Sequence, residues 1–62
     1  MTQKDYFVLA AALSSALKNE VPATAEAHHL FARIYSSICE ELLRDNPKFK
    51  EALFRRAVFV DL

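Results

Sequence analysis

Apolar side chains in the first third of the chain recur at steps of three and four. Placed at about 100° per residue, Tyr6, Leu9, Ala10, Leu13, Ala16 and Leu17 share one side, which predicts an amphipathic helix over residues 3–18. The same spacing returns with Ala27, Leu30, Phe31, Ile34, Ile38 and Leu42 and predicts a longer helix over 24–44. A third, shorter helix is expected over 47–57, with Phe49, Ala52 and Leu53 inward and Lys48, Lys50, Glu51 and Arg55 outward. The chain then runs Val58, Phe59, Val60, Asp61, Leu62. This apolar tail is compatible with an extended helix, a segment docked across the bundle, or a strand paired with another chain. The pattern as a whole specifies an all-α fold, a single small three-helix domain spanning 1–62.

Punctuation agrees with that division. There is no glycine, and the two prolines, Pro22 and Pro47, fall between the periodic segments. Thr2 with Asp5 three residues on reads as an acidic capping box, and Thr24 as the cap of the second helix. Asn46-Pro47 carries a favoured N-cap residue followed by the residue best suited to a first helical position, so the third helix is expected to start there. Glu40 and Arg44, four apart, are placed to pair on the outer face.

Second faces hold more apolar surface than the stripes require. Phe7, Val8, Ala11, Ala12 and Ser15 leave the first helix apolar or small nearly all round, and Ala32, Tyr35, Cys39 and Leu43 form a second stripe on the middle helix. Such residues either fill the gaps of one loosely wrapped core or form an association surface. Length favours association: a chain of 62 residues, 53% hydrophobic, buries only roughly 60% of the surface its unfolded form exposes. A lone cysteine supplies no intrachain disulfide. Homo-oligomerisation, most simply a dimer, is therefore expected through Phe7, Val8, Ala11, Tyr35, Cys39 and Leu43.

Candidate chemistry is sparse. His28 and His29 are adjacent and diverge by about 100° on a helix, and Cys39 lies about 16 Å along the axis from His28, so no metal site is expected. Ser14-Ser15 and Ser36-Ser37 have no glycine turn beside them, mid-helix Cys39 has no free amides to form an oxyanion site, and a glycine-free chain builds no phosphate loop. Glu40 and Glu41 beside Arg44 read as a solvated face. The expectation is a protein that is not an enzyme and binds no cofactor. No apolar run approaches the roughly 20 residues of a membrane span and no leader pattern is visible, which places the chain in the cytoplasm, away from membranes.

Charge changes the picture at one end. Eight basic residues balance eight acidic ones overall, yet residues 46–62 hold Lys48, Lys50, Arg55 and Arg56 against Glu51 and Asp61. A helix-turn-helix regulator laying its third helix in a DNA groove is the alternative this permits. A neutral chain disfavours nucleic acid, and Arg55 and Arg56 also suit a helix C-terminus.

Lys4-Asp5-Tyr6, the Ala10 to Leu13 stretch and the run Leu42-Leu43-Arg44-Asp45-Asn46-Pro47-Lys48-Phe49 together resemble a class of small proteins of tailed bacteriophages and prophages. In that class a K-D-Y start, a helix of I-A-x-A-L type and a D-N-P-x-F element near the end recur. The likeness covers both ends of the chain, the middle agreeing only in helical character. Members often end in a phenylalanine followed by an Ala-Cys pair; here Phe54 is followed by Ala57-Val58, so no cysteine role carries over. The resemblance implies origin and brings no activity with it. Small phage proteins without catalytic residues commonly bind a host protein and block it, by analogy alone. A phage-type module that binds and inhibits or redirects a host protein, such as a defence or regulatory component, is thus expected, with Lys50, Phe54, Arg55, Phe59 and Val60 as its contacts.

Overall fold

The computed structural model describes residues 1–59 and consists of three helices, α1 (Gln3–Asn19), α2 (Ala25–Asp45) and α3 (Glu51–Phe59). No strand occurs among the described residues. The long axis of the molecule, 33 Å, is close to the roughly 30 Å rise of a helix the length of α2, against which the other two fold. No helix is long and apolar enough to cross a membrane.

Two of the three expected caps form, those of α1 and α2. Thr2 Oγ1 accepts from the Asp5 amide at 3.3 Å while Asp5 Oδ2 accepts from the Thr2 amide at 3.0 Å, and Thr24 Oγ1 accepts from the Ala27 amide at 3.1 Å. Those amide bonds hold the Asp5 carboxyl below its usual range. At the other end of α1 the Glu20 amide reaches Ala16 O, and a tight turn from the Thr24 amide to Pro22 O reverses the chain into α2.

The third helix starts four residues later than Asn46-Pro47 predicts. Asn46 terminates α2, its amide bonding Leu42 O, and takes the extended geometry that a following proline imposes. Its side chain, rather than capping a helix, accepts from the Lys48 amide at 3.0 Å, and its carbonyl accepts from Phe49 at 2.9 Å. Residues 46–49 are therefore a turn of the Asx kind. That turn drops Phe49 into the interior, 5.1 Å from the Tyr6 ring, and Asn46 Nδ2 donates to the Tyr6 hydroxyl. Only then does α3 begin, with Glu51 as the acid of its first turn.

The interior is largely aromatic. Six of the seven aromatic residues form one unbroken path, Tyr6, Phe49, Phe54, Tyr35, Phe59, Phe31, with neighbouring centroids 5.0 to 6.0 Å apart. Each such pair adds about 0.5–1.5 kcal/mol beyond the area it buries. Ala10, Leu17, Cys39, Leu42 and Val58 complete the core, and Leu9, Leu13 and Ile38 pack partly against it. The α1 stripe is where its periodicity puts it, with Ser14 buried beside it. On α2 the buried face is turned toward the other stripe: Tyr35 and Cys39 are inside, whereas Leu30 and Ile34, expected inside, are 57% and 49% exposed. On α3, Phe54 and Val58 are inside and Leu53, expected inside, is 56% exposed.

The rotation of α2 has a chemical cause. Tyr35 meets Phe54 and Phe59, and its hydroxyl donates to Glu51 Oε1 at 2.9 Å, so the ring is buried with its polar tip satisfied. Leu30 and Ile34 have no such partner to set against that gain.

Candidate interaction groove

α1 and α3 are the pair of helices whose backbones lie closest. Between the first half of α1, the turn before α3 and α3 itself lies a groove of about 330 Å³. Ala10, Phe49 and Phe54, all buried, form its floor, and Phe7 of α1 and Leu53 of α3 stand more than half exposed along it. Ala57 lines the α3 side, and Lys48 and Lys50, from the turn before α3, are the charged residues along the lining. Around α1 from Phe7, a shallower hollow is lined by Gln3, Lys4, Val8 and Ala11.

The expected contact residues distribute unevenly over this surface. Phe7, Val8 and Ala11 are exposed together on α1, as an association surface needs. Tyr35 and Cys39, expected beside them, are 4% and 8% exposed and belong to the core, because the aromatic α3 packs on that side of α2. Leu43 is exposed, but on α2, and lines neither the groove nor the hollow. Of the residues expected to meet a partner, Lys50 and Arg55 are exposed, Phe54 is 4% exposed and reaches the groove only as floor, and Phe59 is half-buried between Phe31 and Tyr35. Val60 lies outside the described residues. One residue from the association set, Phe7, thus shares a single groove with two from the partner set, Lys50 and Phe54.

Leu53 and Lys48 also belong to this groove: Lys48 is exposed as its outward position predicts, whereas periodicity places Leu53 in the core. The sequence carries a signal for Leu53: Phe54 and Val58, four apart, are the larger inward pair once the helix begins at Glu51, and that pair turns Leu53 to the flank.

On the opposite flank of α3, Glu51 joins two helices. Its Oε1 accepts from Tyr35 and lies 2.9 Å from Arg55 Nη2. Burial, then the neighbouring Cys39 thiol and Glu51, pushes the Tyr35 hydroxyl far above its ordinary value. Burial also pushes the Cys39 thiol up, so it stays protonated at neutral pH. The Tyr35 oxygen beside it and the Glu51 carboxylate hold Arg55 firmly charged. Arg55, though exposed, is paired with Glu51, and a carboxylate thus stands among the cations of α3, which weakens a nucleic-acid-facing role for that helix. Elsewhere Arg44 pairs with Glu41, three residues away, rather than with Glu40. Among the described residues no three His, Cys, Asp or Glu side chains gather as a metal site. His28 and His29 are both exposed near the start of α2.

No family model matches this sequence, and no curated protein or solved structure is similar to it. The groove's geometry and chemistry carry the functional reading.

Proposed function

We propose that the chain is a protein–protein interaction module that docks a host protein in the α1–α3 groove and so inhibits or redirects it. The supporting observation is the groove itself, apolar along its floor, flanked by the exposed Phe7 and Leu53, and bordered by cations. A buried apolar centre with a polar rim is how protein interfaces are composed. The likeness of both chain ends to small phage proteins supplies the setting, a bacterial cytoplasm. The mode, blockade by binding rather than turnover, rests on analogy with small non-catalytic phage proteins alone.

The test is affinity capture from bacterial lysate with the tagged full chain and its Leu53→Gln variant, at two salt concentrations, with and without nuclease. The expected result is a host protein retained by the native chain at the higher salt and after nuclease, and lost from Leu53→Gln. Nucleic acid as the only captured species, released at higher salt, is the result that replaces this reading with a DNA-binding regulator.

A further inference from the structure

We infer that the groove receives an amphipathic helix whose flank is acidic, carboxylates meeting Lys48 and Lys50 while its apolar side chains seat between Phe7 and Leu53. This rests on the interaction reading above and names the chemistry of the partner.

Charge points to acid. The charged residues of the lining are both lysines, and neither forms an ion pair among the described residues. The nearby carboxylates are already committed: Asp5 to its helix cap, Glu51 to Tyr35 and Arg55. A partner carboxylate therefore meets two cations with no acid among the described residues of the lining, and a partner cation meets repulsion. Such complementarity selects the partner and its register more than it adds raw affinity.

Shape points to a helix. The groove runs between two helices, and no strand among the described residues offers an edge for strand addition. Its α3 wall, nine residues long, extends about 13 Å. That length matches apolar anchors at i, i+3 or i+4, and i+7, about 10 Å from first to last. A nucleic-acid strand stacks successive bases on open aromatic faces, and here Phe49 and Phe54 are buried against each other, leaving Phe7 as the one exposed ring in the described lining.

The experiment uses the full chain and three synthetic peptides that share one apolar face, leucines at i, i+4 and i+7, and differ only in flanking Glu, Gln or Lys. Binding is read by fluorescence anisotropy, and circular dichroism confirms that every variant keeps its helices. The Glu peptide is expected to bind about tenfold more tightly than the Lys peptide. Lys48→Glu combined with Lys50→Glu should reverse that order, and Leu53→Gln should abolish binding of all three. Equal binding of the three peptides, still abolished by Leu53→Gln, overturns the acidic partner and leaves the groove as the docking site. Concentration-dependent dimerisation removed by Leu53→Gln overturns it in favour of a second copy. No binding of any peptide also overturns it, and the interaction reading is then decided separately by whether Leu53→Gln loses the host protein in lysate capture.

Discussion

On the side of α3 that meets α2, Phe54 and Phe59 close against Tyr35 and Phe31, and Glu51 ties both helices through the Tyr35 hydroxyl. On the side that meets α1, Leu53 and Ala57 border an open groove with Phe7 across it. Both flanks are built from similar apolar side chains on a nine-residue helix. They differ in what stands opposite. The α2 flank presents large rings and one hydroxyl that finds a carboxylate, so it closes with its polar atoms satisfied. The α1 flank presents alanine at its floor, which lets the backbones approach but leaves the space beside Phe7 unfilled. One flank of α3 is thus closed by rings, and the other, though its backbone lies close to α1, leaves part of its apolar surface open.

The largest expected effect breaks the closed side. Phe54→Ala removes a ring that contacts both Tyr35 and Phe49, a loss of about 3–5 kcal/mol. A chain of 62 residues has a total stability of roughly 3–9 kcal/mol. The variant should therefore lose at least about a third of the stability of the native chain, read by circular dichroism as a large fall in the midpoint of a urea titration.

A smaller change separates the hydrogen bond from the packing. Tyr35→Phe keeps the ring and deletes the donor to Glu51, whose carboxylate retains Arg55. The expected cost is about 1 kcal/mol, or roughly 4–8 °C in Tm. The Tyr35 hydroxyl titrates higher in the fold than its ordinary value of 10.0. Its stabilising contribution is consequently complete below about pH 10, where the unfolded tyrosine is still neutral, and is lost as pH rises beyond that. Thermal melts of the native chain above pH 10 should fall more steeply than those of Tyr35→Phe. Parallel slopes would place the alkaline loss elsewhere.

The smallest effect belongs to the open side. Leu53→Gln lies on the exposed wall of the groove and should shift unfolding free energy by no more than about 0.5 kcal/mol in the same urea titration. A destabilisation matching that of Phe54→Ala would mean that the groove closes in solution and that the two flanks are not distinct.

The helices, their caps and the α1 stripe were legible because each rests on neighbours within four residues: the Thr2–Asp5 box, Thr24, and the run from Tyr6 to Leu17. Two features were not, and for one reason. Which side of α2 faces inward depends on what α3 brings to it, and periodicity cannot weigh a satisfied tyrosine against two aliphatic side chains when both stripes are apolar. Asn46-Pro47 likewise has two uses with the same local signature. The turn prevails because it delivers Phe49 to Tyr6, a contact across more than forty positions. The surplus of apolar surface was anticipated in kind, but its large owners on α2 and α3 are Leu30, Ile34, Leu43 and Leu53, of which only Leu43 was read as a surface residue. Phe7 alone among the aromatic residues stands outside the aromatic path, and the sequence marks it only as lying beside the core stripe.

No described residue has a positive φ, and the chain contains no glycine. No described position is therefore reserved for a residue lacking a side chain, and every constraint on substitution comes from what a side chain must touch or avoid. The side chains of Lys48, Lys50 and Leu53 are exposed, so the rim of the groove can change residue by residue, whereas its floor, Phe49 and Phe54, belongs to the six-ring interior and is held by the fold. The architecture thus separates side chains that must stay from side chains that are free to drift.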